Sequence, residues 1–414
     1  MKHVYTSIDI GSDSIKIVVS ELFHGKLNLL AASSVKSKGI KKGLIVDGKQ
    51  ASISLKKALD DIEQMLGIKI KRVIATIPNY FSEFIIIKGS IDLNPEMEIN
   101  GQDIVKVFQE AMKSKTVENK QMVTVIPIDF TVDNELGIKD PKGKHGNKLS
   151  TRSVMVVTPK KNILSVVSLL ENAGLEVIDV SLNSIGDISS IKDKVVKEKV
   201  GAVINIGHET TSVSLFNKGI IVNNSMISVG GKNIDNDIAY IYKLKPNDAR
   251  IVKENFALAH KKHASKTDYY EITNKLEEDI KINQFEVSEV VQARLEEILV
   301  LARKEINVLT NREVDYILIT GGTSSMNNFS IIAEDVLGEK ARVTDVHLIG
   351  LRNNKFSAAV GNIAYFISKQ KLKGKYFSLV SREDMDTLSS TKKNLINISN
   401  ESMLGKVFGY FFNE

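Results

Sequence analysis

A strand that runs into a loop of small residues and out again as a second strand occurs twice in this chain, roughly 200 residues apart. No other feature of the sequence constrains the fold as strongly. The first copy places β-branched runs at Tyr5–Asp9, Ile15–Glu21 and Leu27–Val35 around Gly11-Ser12-Asp13-Ser14. The second places them at Ala202–Ile206, Ser212–Phe216 and Gly219–Ser225 around Gly207-His208-Glu209-Thr210-Thr211. Short β-branched runs bounded by turn residues are the signature of strands. A third such strand, Tyr316–Thr320, ends on Gly321-Gly322-Thr323-Ser324-Ser325 and follows a long amphipathic helix around Val290–Leu309. Helical spacing of Ile53, Leu55, Leu59, Ile62, Met65 and Leu66 predicts a helix over Gln50–Leu66, and Arg72–Ile77 reads as a strand ending at Pro78. Strands alternating with helices predict an α/β architecture.

The pattern changes between Phe84 and Pro159. A strand at Phe84–Ile91, a helix at Gly101–Ser114, strands at Met122–Val132 and Ser153–Val157 and a turn-rich stretch at Gly137–Gly146 read as a small α+β lobe set into the first domain. The α/β pattern then resumes with a helix at Asn162–Ala173 stopped by Gly174, a strand at Val177–Leu182 and a helix at Ile185–Val196. Charged Glu271–Lys281 reads as a surface helix, and 371–401, rich in Ser, Asn and Lys, as a solvated flexible linker. The expected division is a first domain of residues 1–83, 160–198 and 346–370, the inserted lobe at 84–159, a second domain at 199–345, the linker at 371–401 and a terminal helix at 402–414. That division suits 414 residues at roughly 100 to 200 per domain.

Charge and composition narrow the function classes. With 56 Lys+Arg against 50 Asp+Glu the net charge is +6, and no long basic block occurs, so nucleic acid is not an expected partner. The absence of cysteine excludes disulfides and thiolate chemistry and fits a reducing compartment. No run of 18 or more apolar residues spans a bilayer, and the polar start gives no secretory signal, so a cytosolic chain is expected. His260 and His263 stand among Lys261, Lys262 and Lys266 and read as a solvated basic face rather than a metal pair.

The three loops carry the chemistry. Small residues after a strand let backbone N–H groups and hydroxyls approach phosphate oxygens without Cβ clashes. Ser12 and Ser14 can donate to phosphate, Lys16 can reach back as a cation, and Asp9 can hold Mg²⁺ through water. One such loop alone is more often a plain hairpin; three in this order resemble the actin-like ATPase superfamily. Asp9-Ile10-Gly11-Ser12 with Lys16 is similar to its first phosphate loop, Asn205-Ile206-Gly207-His208-Glu209-Thr210-Thr211 to its second, and Ile319-Thr320-Gly321-Gly322-Thr323 to its adenosine loop. Within it the chain resembles the FtsA family of bacterial division proteins. There a lobe called 1C interrupts the first domain after the strand that here ends at Pro78. Ile126-Pro127 to Phe130, Gly137-Ile138-Lys139-Asp140-Pro141, Ala173-Gly174-Leu175-Glu176-Val177, Val229-Gly230-Gly231, Arg294-Leu295-Glu296-Glu297-Ile298 and Ala359-Val360-Gly361 resemble that family as well.

The resemblance implies a duplicated, ribonuclease H-like actin fold of two domains. It also implies ATP and Mg²⁺ as cofactors, with Gly230, Gly231, Arg250 and Lys253 joining the three loops at the nucleotide. Several positions depart from the family chemistry. Asn205 replaces a common Asp, His208-Glu209 replaces a glycine run, and Asn183 stands where relatives with robust hydrolysis often place a carboxylate. Slow or absent turnover follows, since an amide is a poor general base. At the ribose segment Arg250 stands where an acidic residue is usual, while Lys253 is retained.

On a helical wheel Met403, Leu404, Val407, Phe408, Tyr410, Phe411 and Phe412 share one wide arc, against Gly405, Lys406, Gly409 and Asn413. A terminal amphipathic piece on a polar tether suits the headgroup boundary, and the resemblance implies a membrane-targeting helix bearing Met403, Leu404, Val407, Phe408, Phe411 and Phe412. It further implies self-association into filaments, attachment to the cytoplasmic face of the membrane at the division site, FtsZ bound through its C-terminal tail, and later division proteins met through the lobe. A sugar or acetate kinase of the same superfamily and a pilus-assembly actin homologue are the alternatives; the lobe, the missing base and the tail stand against the first.

Overall fold

A computed structural model describes residues 3–388 except Ser114, Thr116, Lys192, His347 and Arg382. The expected membrane helix at 402–414 and its residues Met403 to Phe412 lie outside the described residues.

The first half runs β1 (His3–Ile10), β2 (Ser14–Phe23), β3 (Lys26–Lys36), a small hairpin β4 (Ile40–Lys41) and β5 (Leu44–Ile45), α1 (Gly48–Leu66) and β6 (Arg72–Ile77). The lobe follows as β7 (Glu83–Asp92), α2 (Gly101–Lys113), β8 (Lys120–Val132), β9 (Glu135–Ile138) and β10 (Lys148–Pro159). The chain then returns through α3 (Lys160–Glu171), β11 (Glu176–Leu182), α4 (Asn183–Ser190) and α5 (Lys194–Glu198). The second half comprises β12 (Val200–Ile206), β13 (Thr211–Asn217), β14 (Ile220–Ile227), α6 (Gly231–Ile241), α7 (Pro246–Asn255), β15 (Tyr269–Thr273), β16 (Asp279–Asn283), α8 (Gln284–Leu309), β17 (Tyr316–Thr320), α9 (Phe329–Leu337), β18 (Ala341–Val343) and α10 (Ser357–Leu372).

The duplication is literal at the level of strand order. One five-stranded sheet is ordered β11-β6-β1-β2-β3 and the other β14-β13-β12-β17-β18. In each, a hairpin meander (β1 to β3, β12 to β14) is antiparallel and its first strand pairs in parallel with a later one, β6 or β17. Parallel pairing needs a crossover element between the strands. Here α1 and the α6-to-α8 set supply it. Asp47 caps α1 by accepting from the Lys49 and Gln50 amides, and Gly67, left-handed at φ 71°, ends it.

Both faces of the first sheet are covered. Ile8, Ile17, Val73 and Ala75 join α1 and α3 in one core, while Tyr5, Val18 and Ile74 meet Ile363 and Phe366 of α10 in another. The second sheet buries Ile204, Val213 and Ile319 under α6, α7 and α8, and turns Val203, Phe216 and Leu318 into the first core. The two halves therefore share apolar packing behind the cleft that separates their loops.

The lobe is a four-stranded sheet, β7-β10-β8-β9, covered on one side by α2. Val123 of β8 and Val154 and Val156 of β10 belong to the core of the first half. The strand β10 extends beyond the expected Ser153–Val157, and β9 overlaps the start of the stretch Gly137–Gly146 that reads as loop.

Three expectations are corrected. Glu271–Lys281 is no helix: Tyr269–Thr273 and Asp279–Asn283 form an antiparallel hairpin, in which Tyr270, Ile272, Ile280 and Ile282 point to the second core. The alternation of these apolar residues sets a period of two, which the intervening charges mask. Ile185–Val196 is broken at residue 191 into α4 and α5, the latter capped by Asp193. Residues 371–388 are no free linker. The Leu379 amide donates to the Val4 carbonyl at 2.8 Å, and Leu379 is 2 % exposed. Beyond it residues 383–388 are helical, with Ser381 accepting from the Asp384 amide and Met385 and Leu388 packing on the first core. A few well-placed apolar residues dock a segment whose composition is otherwise polar.

Candidate nucleotide-binding site

Strand ends bring the loops together. β1 and β12 each deliver a turn into one cleft of about 360 Å³, within the range of small-ligand sites. The cleft is lined by Asp9, Gly11, Ser12, Lys16, Asn205, Gly207, His208, Thr210, Arg250, Lys253, Gly321, Gly322 and Thr323, thirteen of the residues singled out from sequence. Ser14, Glu209, Gly230 and Gly231 lie behind its wall.

In the first loop Gly11 N donates to the Ser14 carbonyl at 3.1 Å, closing a tight turn. Asp9 and Lys16 are register partners across β1 and β2, which sets the Lys16 Nζ 2.9 Å from Asp9 Oδ2. The other carboxylate oxygen accepts from Thr76 Oγ1 at 2.9 Å. Ser12 Oγ accepts from the Gly43 amide at 2.7 Å, so the β4–β5 hairpin steadies the loop. The buried Ser14 Oγ has no hydrogen-bond partner among the described residues and does not line the cleft.

The second loop closes through Gly207 N and the Thr210 carbonyl at 2.9 Å. Its carbonyls are taken by the start of α6: Gly231 N donates to Gly207 O and Lys232 N to His208 O. A Cβ on Gly230 would fall 2.7 Å from both carbonyl oxygens, and one on Gly231 2.5 Å from Thr323 Oγ1. These glycines serve close approach of α6 to the second and third loops, not the ligand. Thr323 Oγ1 in turn donates to Gly207 O at 3.0 Å. Glu209 turns outward and accepts from the Lys42 amide and Lys232 Nζ, both at 2.6 Å. It joins the two sides at the cleft rim, and those bonds hold its carboxyl below the usual range despite partial burial.

Charge inside the cleft is mostly paired. Arg250 of α7 forms a two-pronged ion pair with Asp13 across the cleft, and its Nε meets Glu254 at 2.8 Å. Burial alone would raise the Asp13 carboxyl, yet the hydrogen bonds and charge of Arg250 hold it below its ordinary range, and Arg250 is correspondingly raised. Lys253 pairs with Asp235 at 2.6 Å. Burial pushes His208 down, so its ring stays neutral near pH 7. Lys355 and Lys42 are the exceptions: neither makes an ion pair with a described residue, and burial and the Lys16 charge lower Lys355.

Sequence reasoning missed several cleft residues. Pro78 and Asn79 follow β6 in the first half as Gly321 and Gly322 follow β17 in the second, so the duplication itself pointed there. Asp187 of α4, 1 % exposed, does not line the cleft but lies beneath it, accepting from Asn205 Nδ2 at 2.8 Å and Ser357 Oγ at 2.5 Å. Burial pushes it up to about 6, the two hydrogen bonds oppose that rise and the nearby Asp9 charge adds to it. Asn183 lines the cleft with a buried Oδ1 that lacks a hydrogen-bond partner among the described residues.

Opposite effects are expected from the two ends of the cross-cleft pair. Asp13→Asn removes a negative charge from the phosphate side and frees Arg250, so ATP affinity should rise about three- to tenfold. Arg250→Ala leaves Asp13 unpaired beside the phosphates and should lower affinity by a similar factor. Titration of a fluorescent ATP analogue reads both, and changes of the same sign would refute the assignment.

The chain is similar to known proteins in sequence and in fold. Residues 202–361 match the family described as cell division protein FtsA, and residues 83–158 match the SHS2 domain inserted in FtsA. Cell division protein FtsA of Bacillus subtilis strain 168 is 28 % identical over 376 residues, covering 90 % of this chain and 85 % of that protein. The Streptococcus pneumoniae protein of that name is 27 % identical, covering 86 % and 78 %. Among solved structures, the fold is similar to MreB5 of Spiroplasma citri bound to ADP, at TM-score 0.55 and 13 % identity over 90 % of this chain and 98 % of that one. It is also similar to the PilM-PilN type IV pilus biogenesis complex, at 0.58 and 15 % over 87 % and 98 %. These establish an actin-like ATPase fold of two α/β halves. With the inserted-lobe match falling on β7 to β10 and the other match covering the second and third loops, the chain belongs to the FtsA family of cell division proteins.

Proposed function

We propose that this chain binds ATP with Mg²⁺ in the cleft, polymerises on the cytoplasmic face of the membrane at the division site, anchors FtsZ there through the FtsZ tail and recruits later division proteins through the lobe. The observation that carries the reading is the convergence of three strand-end loops, with Lys355 and Lys16, on one polar cleft. Gly11, Ser12, Gly207 and Thr210 would meet the phosphates, and Gly321, Gly322 and Lys253 the nucleoside. The donor set fits Mg²⁺ carried mainly by phosphate oxygens. Asp9 keeps one partner on each oxygen and can hold a metal-bound water, Asn205 can offer a second oxygen, and among the described residues no cluster of three acidic or His ligands exists to hold a metal alone. When bound, Mg²⁺ would neutralise phosphate charge. Asn183 in place of a carboxylate supports slow turnover or none.

The membrane part rests on the sequence of the tail. No helix among the described residues is long and apolar enough to cross a bilayer. Phe408 and Phe411 would each contribute up to about 1.5 to 3 kcal/mol on full burial, less at an interface. Gly405 and Gly409 each cost about 1 kcal/mol in a helix, so one tail would bind marginally and several on one filament strongly. Co-sedimentation of the full chain with anionic liposomes, with and without ATP and an FtsZ tail peptide, tests this. Phe408→Glu with Phe411→Glu should leave the protein in the supernatant while ATP binding persists. Flotation equal to the parent's would sink the membrane reading, and turnover near or above about 1 s⁻¹ the slow-hydrolysis one.

A further inference from the structure

Asn205 places an uncharged amide at the end of β12, and the structure places a carboxylate directly behind it. Asp187 is buried under the cleft floor, and each oxygen has one partner: Asn205 Nδ2 on Oδ2 and Ser357 Oγ on Oδ1. A carboxylate only accepts, so the donor end of the Asn205 amide must face Asp187. The acceptor end, Oδ1, then faces the third loop, where a Cβ on Gly321 would lie 2.4 Å from it. Asn205 lines the cleft and Asp187 does not.

We propose that Asp187 is a positioning residue that fixes the Asn205 carbonyl oxygen toward the cleft as an acceptor for metal-bound water and supplies from behind the negative charge that Asn205 itself lacks. The inference rests on the nucleotide reading above and deepens it. Two features favour it over a purely structural role. The pair joins α4 to the end of β12, so the carboxylate is spent on the one side chain of that strand end that reaches the cleft. A buried carboxylate serving packing alone would carry a desolvation penalty with nothing gained at the site. Outer partners that orient a first ligand commonly change metal affinity by about 10- to 100-fold when removed.

The test compares ATP affinity of the full chain in Mg²⁺ and in EDTA by calorimetry, for the parent, Asp187→Asn and the exchange Asn205→Asp/Asp187→Asn. In the parent Mg²⁺ should tighten ATP binding. Asp187→Asn should lose about tenfold of that gain while affinity in EDTA stays within about twofold. The exchange keeps one amide and one carboxylate in hydrogen-bond reach and should restore the gain. Circular dichroism melting shows that each variant is folded. An undiminished Mg²⁺ gain in Asp187→Asn overturns the proposal, as does a folded exchange variant without it. If Asp187→Asn does not fold, the exchange variant alone decides, on the same two outcomes. A parent that binds ATP but gains nothing from Mg²⁺ overturns the inference and leaves the nucleotide reading standing; a parent that binds no ATP overturns both.

Discussion

Gly361→Ala is expected to destabilise the protein by about 3 kcal/mol or more, the largest effect of any single methyl group added to this fold. Helices α4 and α10 cross backbone to backbone. A Cβ on Gly361 would lie 1.7 Å from the Gly186 carbonyl oxygen, and one on Gly186 2.4 Å from that of Ala358. No side-chain rotation relieves a clash with main chain on both sides, so the helices must separate. Because α4 carries Asp187 and α10 carries Ser357, separation also strains their 2.5 Å hydrogen bond at the cleft floor. Urea unfolding should show a lower midpoint with an unchanged slope. A midpoint equal to the parent's would mean that the helices are not held at this distance in solution.

Gly321→Ala should act on binding more than on folding. Gly321 has φ 96° and ψ 163°, a region that residues with a Cβ hardly populate, at a cost of about 1 to 3 kcal/mol. The added Cβ would also meet Asn205 Oδ1 at 2.4 Å and Ile206 O at 2.5 Å. The loop after β17 must shift, and with it the acceptor of Asn205. ATP affinity is expected to fall at least about tenfold, since 1.4 kcal/mol suffices for that. Gly322→Asp is the gentler steric change, because a Cβ there meets only Lys355 Cβ at 3.5 Å, and it acts through charge. Equal ATP affinity for Gly321→Ala and the parent, both folded, would remove the third loop from the site.

What could be read from sequence was what is local. The two meanders announce themselves because β-branched runs and small-residue turns are short-range signals, and the loops at Gly11, Gly207 and Gly321 mark where strands must stop. What could not be read depends on partners far along the chain. Arg250 finds Asp13 across 237 positions, and Asp187 finds Ser357 across 170. Lys355 looks like any surface lysine until the fold carries it beside Lys16. The hairpin at Tyr269–Asn283 was hidden by charges that imitate a helical face, and the docking of 375–388 by polar composition around Leu379. The loop at Pro78-Asn79 was deducible, because a duplicated fold requires a counterpart to Gly321-Gly322 in the other half.

The attachment of the lobe has a mechanical consequence. Val123, Val154 and Val156 are rooted in the first core, Thr124 and Tyr365 of α10 share a hydrogen bond at 2.7 Å, and Lys142 Nζ reaches the Lys371 carbonyl at 2.7 Å. Such a joint has the stiffness of a beam set in a wall, not the compliance of a hinge. Load applied to the far end of the lobe is delivered to α10 and, through the glycine crossing, to α4. A neighbour leaning on the lobe would therefore press on the helix pair that lies beneath the cleft.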